Sequence, residues 1–250
     1  MLLNAKEIVE VGCGAVLAAG AATAGLMYAS VSPSSRLFGR ALTAPPLYGN
    51  GSDEMAFTFD DGPNPKWTPP LLELLAKHNV RATFFLIGQY AAAQRALARE
   101  TLAAGHLIGN HTWTHPNLAR TSPDKTRDEL KRTSAELEQI IGAPVRYFRP
   151  PFGLRRPATF RIARELGLIP VTWTVIGNDW NADSAQEITE RVTRLASKDQ
   201  QRGYATNLVL HDGSHRMPEA DRSRTVASMK DLLEIYAPSR RFVTLDEWEN

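Results

Sequence analysis

A single cysteine, Cys13, stands in this chain of 250 residues, which excludes an intrachain disulfide framework and leaves His, Asp and Glu as the side chains able to hold a metal. No block of Lys or Arg stands apart from acidic neighbours. The 29 basic and 27 acidic residues leave a formal net charge of +2, so a nucleic-acid partner is not indicated. Repeats and low-complexity stretches are also missing, and no G-x-G-x-x-G follows the first strand candidate, as it would in many dinucleotide-binding sheets. The length suffices for one large domain with a full hydrophobic core, or for two small ones.

What is present begins with an uncharged N-terminal run, "VGCGAVLAAGAATAGLMYASV", residues 11–31. It is long enough to span a bilayer, although its many Ala and Gly residues favour insertion only weakly. Residues 1–31 are read as an apolar membrane anchor or signal segment outside the folded domain, with a cleaved signal peptide or a surface-packed tail as the other readings. Membrane association through residues 11–31 and a place in the bacterial cell envelope follow as expectations. Lys6 precedes the run and Arg36 and Arg40 follow it, so orientation stays open. Residues 32–51, dense in Ser, Pro and Gly, read as a linker.

From Met55 onward, short apolar strand candidates appear at 55–60, 82–88, 106–110, 145–149, 168–176, 207–211 and 241–245. Helix-patterned stretches such as "DKTRDELKRTSAELEQII" and "SAQEITERVTRLAS" lie between most of them. This alternation predicts a mainly parallel α/β domain over residues 52–250. An open doubly wound sheet and a closed (β/α) barrel both fit. The barrel is favoured because Asp60, Asp61, Asn110, His111, Arg149, Asp179, His211 and Asp212 all fall at or just beyond C-terminal strand ends, where a barrel gathers them on one rim.

Several stretches carry chemistry. "FTFDDGPNP" sets Asp60 beside Asp61, although consecutive strand side chains point to opposite faces. If both turn into one pocket, their repulsion calls for a counter-charge such as a metal ion. One could then ligate and the other act as general base, whereas a plain Asp-Gly turn is the simpler reading. "NHTWTH" places His111 and His115 four apart with Pro116 next, which predicts a turn or irregular loop carrying two imidazoles. "FRPPFG" puts Arg149 ahead of a proline-stiffened loop, where it could pair with a base carboxylate. "LVLHDG" ends a strand with His211, a candidate proton donor to a leaving group. In "WTVIGNDW", Asp179 could orient His211 or make a local turn; Trp173 reads as core, and Trp180 as core or sugar-stacking.

Taken in order, "TFDDG", "HTWTH", "RPPFG", "NDW" and "LVLHD" resemble the polysaccharide deacetylases of carbohydrate esterase family 4, the NodB homology domain. The resemblance spans about residues 57–212. It implies a distorted (β/α) barrel of about seven strands and metal-dependent hydrolysis of N-acetyl, or sometimes O-acetyl, groups on a polysaccharide such as peptidoglycan, chitin oligomers or exopolysaccharide. It implies Asp60 as base, Asp61, His111 and His115 as metal ligands, Arg149 as the residue orienting the base, and His211 as general acid. By the same resemblance, Asp179 joins the catalytic group, and Phe152 and Trp180 the substrate site, with a backbone N–H near Phe152 on the oxyanion. The metal is expected to be zinc, with cobalt, nickel or manganese as alternatives. One departure stands out: Ile176 occupies a position where members often carry an Asp that supports the acid, so the relay to His211 would be altered or taken over by another carboxylate. A small-amide amidohydrolase and a non-catalytic glycan-binding module remain as rival readings.

Overall fold

The computed structural model describes residues 24–46 and 53–249. The strands are β1 (Glu54–Gly62), β2 (Thr83–Leu86), β3 (Leu107–Asn110), β4 (Tyr147–Phe148), β5 (Ile169–Pro170), β6 (Val175–Ile176), β7 (Thr206–His211) and β8 (Arg241–Phe242). The helices are α1 (Thr68–Lys77), α2 (Gly88–Ala93), α3 (Arg95–Ala103), α4 (Pro123–Ile141), α5 (Pro157–Glu165), α6 (Ala185–Gln201) and α7 (Ser223–Tyr236). All strand pairs are parallel, in the order β5-β4-β3-β2-β1-β7-β6, and β8 pairs with the start of β1. The sheet curls into a distorted (β/α) barrel whose edge strands β5 and β6 do not pair.

β1 is the central stave and is buried from Met55 to Gly62. Phe57 and Phe59 pack among helix-facing apolar side chains such as Leu71, Leu75 and Phe84, and Phe59 stacks on Phe84 at 5.0 Å between ring centroids. Burying each such side chain contributes roughly 1.5–3 kcal/mol. The helices follow from their patterns. In α4 the buried residues Thr126, Glu129, Leu130, Thr133, Leu137 and Ile140 recur at three- and four-residue intervals, Ser122 caps the start by accepting from Lys125 N–H, and Gly142 at φ 71° ends it.

Two expectations change. The stretch 168–176, read as one strand, is two: β5 pairs with β4, β6 pairs with β7, and residues 171–174 cross the seam between the sheet's edges. Eight strands are therefore present among the described residues. Part of the stretch expected as linker lies in that same seam. Leu42 N–H donates to Pro170 O at 2.8 Å, Thr172 N–H donates to Leu42 O at 3.0 Å, and Ala205 N–H donates to Pro45 O at 3.0 Å. No helix among the described residues is long and apolar enough to cross a membrane. Residues 1–23, which carry most of the apolar run, lie outside the described residues.

Candidate active site

The paired aspartates share one pocket because the strand is broken between them. β1 pairs residue by residue with β2 until Asp60 opposite Phe85, then slips so that Gly62 faces Leu86. Asp61 is the extra residue, held at φ 72°, and this bulge re-aims its side chain. Its backbone lies so close to Gly213 that a Cβ there would come within 2.0 Å of Asp61 O. Both carboxylates are nearly buried, at 4% and 5% exposure. Arg149, fully buried, donates from Nη1 to Asp60 Oδ1 at 2.8 Å and to Thr58 Oγ1 at 2.7 Å, and from Nη2 to Thr172 O at 3.3 Å. Those bonds orient Asp60 and leave its Oδ2 on the His111 side, 3.8 Å from Nε2.

Asp61 Oδ1 lies 3.4 Å from His111 Nε2 and 3.1 Å from His115 Nε2. His111 Nδ1 sits 2.8 Å from Arg149 O, a carbonyl that can only accept, so Nδ1 donates and Nε2 is the nitrogen turned towards Asp61. The residues between the two imidazoles form an irregular loop, with Thr112 at φ 68° and His115 at φ 59°. Glu129 of α4 holds it: Oε2 accepts from Trp113 N–H and Thr114 N–H at 2.8 Å each, and Oε1 accepts from Thr114 Oγ1 at 2.9 Å. Burial lowers the pKa of His115 and keeps it neutral although Asp61 opposes this. Asp61 is held well below the usual carboxylate range: burial works against its charge, and His111, His115 and His215 outweigh it.

On the opposite wall, His211 Nδ1 is 2.8 Å from Asp179 Oδ1. Asp179 Oδ2 accepts the His211 backbone N–H at 2.8 Å and the Thr225 hydroxyl at 2.7 Å. Burial disfavours the imidazolium, yet Asp179, helped by Asp61 and Asp60, pushes His211 up to about 9. Trp180 meets the His211 ring edge-on at 4.8 Å, and Phe152 meets His115 edge-on at 4.5 Å. Both aromatics are about half exposed. Asp60, Asp61, His111, His115, His211, Phe152 and Trp180 line one cleft of ≈ 710 Å³. Arg149 and Asp179 stand behind it.

A family model described as Polysaccharide deacetylase matches residues 48–171. A peptidoglycan-N-acetylglucosamine deacetylase of Bacillus cereus is 40% identical over 77% of this chain and 66% of its own length, so the chain spans just under two thirds of that relative. A chitooligosaccharide deacetylase of Sinorhizobium fredii is 37% identical over 74% of this chain and 83% of its own. The chain belongs to the polysaccharide deacetylase family. The solved Bc1960 peptidoglycan N-acetylglucosamine deacetylase has the same fold, with a TM-score of 0.70 at 30% identity over 82% of this chain and 90% of that one. The polysaccharide deacetylases are carbohydrate esterases of family 4, hydrolases that act on acetyl groups and depend on a divalent metal.

The residues of this polysaccharide deacetylase fit such an ion. Asp61 Oδ1 is buried without a hydrogen-bond partner, with the Nε2 atoms of His111 and His115 at 3.4 and 3.1 Å. A buried carboxylate oxygen among converging ring nitrogens is the kind of donor set a divalent cation takes. His215, which the motif reading missed, joins them. Its Nδ1 lies 3.6 Å from Asp61 Oδ2, its ring stacks on His115 at 4.4 Å, and Asp61, His115 and His215 present ligand atoms within 4.8 Å of one another. Its only signal was a further histidine four positions after His211 of the "LVLHDG" strand end. Glu129 was also missed; the sole hint was an acidic residue on the buried stripe of an amphipathic helix.

One further expectation is corrected. Trp173 is neither in a strand nor in the core, but lies in the seam crossing and lines the cleft. At Ile176 the second of the two alternatives holds: another carboxylate, Asp179, supports His211. Asp212, at the same strand end, turns away from the cleft. Its Oδ2 accepts from Thr68 Oγ1 at 2.5 Å, and burial pushes its pKa up to about 7.

Proposed function

We propose that this chain removes the N-acetyl group from N-acetylglucosamine units of a cell-envelope glycan, with peptidoglycan first and chitin oligomers next. The observation that carries this reading is the placement of two oppositely tasked groups across one cleft. Asp60 is held by Arg149 on the metal-ligand side, and His211 is held by Asp179 on the other. The relatives named above act, by their names, on those two glycans. The exposed faces of Phe152 and Trp180 flanking the cleft suit a sugar ring better than a small amide.

In this reading Asp61, His111 and His115 hold the ion, with His215 as a further donor within reach. A carboxylate and neutral imidazoles without thiolate suit zinc, and also cobalt, nickel or manganese. A bound ion would polarise the acetyl carbonyl and favour ionisation of a water. Asp60 would accept the proton of the attacking water on Oδ2, with Oδ1 kept on Arg149, as the water oxygen bonds to the acetyl carbon. A backbone N–H near Phe152 would, by similarity to the family, stabilise the developing oxyanion. His211 delivers a proton from Nε2 to the sugar nitrogen as the C–N bond breaks, Nδ1 staying on Asp179. The amine and acetate are the products.

Attachment to, or export through, a membrane by residues 1–31 is part of the same proposal. It is supported by the uncharged run at 11–31 and by the exposure of Leu26, Met27, Tyr28 and Val31. Acetate release measured over a panel of peptidoglycan, chitin oligomers, exopolysaccharide and acetylated xylan tests the substrate. Release from xylan alone would replace the amide reading with an ester one.

A further inference from the structure

Arg155 is a buried cation with no anion beside it among the described residues. It is fully enclosed, and burial is the one influence acting on its charge. A charge in that setting calls for hydrogen bonds; backbone carbonyls accept them from Nη1 and Nη2, while Nε is buried without a partner among the described residues. Nη1 donates to Gly153 O at 2.9 Å, and Nη2 donates to Ser32 O and to Ser35 O, the latter at 3.5 Å. The Arg155 backbone N–H donates to Ser30 O at 3.1 Å. One guanidinium thus joins two stretches of chain. The first is residues 30–35, ahead of the segment that the family model covers. The second is the loop that carries Phe152 into the cleft.

That loop has reason to need holding. Phe152 at φ 58° and Gly153 at φ 65° are consecutive left-handed residues, the first an unfavourable conformation for a phenylalanine. A Cβ at Gly153 would come within 2.6 Å of Trp173, so the loop has little room to shift inward. The early stretch also reaches the other half of the site. Pro33 O accepts from Thr172 Oγ1 at 3.0 Å, Thr43 Oγ1 lies 2.9 Å from Thr172 Oγ1, and Thr172 O accepts from the Arg149 that orients Asp60.

We propose that Arg155 is a positioning residue that ties residues 30–35 to the Phe152–Gly153 loop, so that chain ahead of the deacetylase core is a working part of the substrate site. Its kinetic test rests on the deacetylase reading; its structural test does not.

The full-length, metal-loaded protein is compared with Arg155→Lys, which keeps the charge but loses the fork. Gly39→Ala serves as the second variant. It disturbs the chain just after this stretch, because Gly39 sits at φ +108°, where a residue with a Cβ is strained. In both variants kcat on N-acetylated chitooligosaccharide falls about tenfold or more, as expected when reacting groups are misplaced by a fraction of an ångström. KM changes less than kcat, bound metal is unchanged, and the Gly153 and Leu154 amides exchange hydrogen faster. If Arg155→Lys does not fold, Gly39→Ala carries the test alone. Wild-type kcat, KM and loop exchange with only a lower melting temperature would overturn the proposal. A wild-type chain without deacetylase activity would sink the functional reading, and loop exchange alone would then support or overturn the tie.

Discussion

Asp179 grips His211 at both ends, with Oδ1 2.8 Å from the ring Nδ1 and Oδ2 accepting the backbone N–H of the same residue at 2.8 Å. The pair fixes which ring nitrogen faces the cleft. It also keeps the imidazole protonated at neutral pH, since His211 is pushed up to about 9. Proton donation is therefore available below that value and fades as pH rises through it. Asp179→Asn should move the alkaline limb of the pH–rate profile to lower pH and lower kcat by about 10²–10⁴-fold, the usual worth of a general acid. An unmoved limb would show that another group donates.

The same pair makes a stability prediction. Because the folded value lies above the unfolded 6.5, the contribution is complete below pH 6.5 and is lost as pH rises through about 9. The difference in melting temperature between wild type and Asp179→Asn should be largest near pH 6 and shrink by pH 10.

Asp60→Asn should abolish turnover while leaving metal content near one per chain, because the proposed mechanism gives Asp60 the attacking water and Asp61 the ion. Metal analysis beside acetate release separates the two roles. A variant that still turns over at the wild-type rate would remove Asp60 from the base position.

The ligand set is tested by comparing His111→Ala with His215→Ala. The first should lose stoichiometric metal in a chelator competition, and the second should retain it with weakened affinity. The opposite pattern would transfer the site to Asp61, His115 and His215.

Arg149→Met leaves Asp60 and Thr58 buried without their partner. Breaking a buried ion pair in this way should cost about 3–5 kcal/mol, read as a lower urea midpoint. A midpoint like that of wild type would mean that water replaces the guanidinium.

Much of this was legible in the chain. The alternation of strand and helix patterns marked the barrel, and the rule that strand ends collect on one rim gathered Asp60, His111 and His211 into one cleft. What stayed hidden depended on local geometry that side-chain pattern does not encode. The bulge at Asp61 is a register slip, invisible in "FTFDD" although it decides where the second carboxylate points. The break at 171–174 falls inside an apolar run that reads as one strand, since its division comes from the two edges it must reach. Residues 32–46 look like linker by composition, and their place against Thr172 and Asn207 follows from backbone carbonyls that any sequence could offer. His215 belongs to no motif, and only the fold brings it to His115.

The central claim, that the acid pair and imidazoles form a metal-dependent deacetylase centre, is tested most directly by acetate release from an N-acetylated chitooligosaccharide before and after chelation. The account predicts release by the metal-loaded chain, loss of release with EDTA, and recovery when zinc or cobalt is added back. Release indifferent to EDTA, with no metal bound to the active chain, would contradict it.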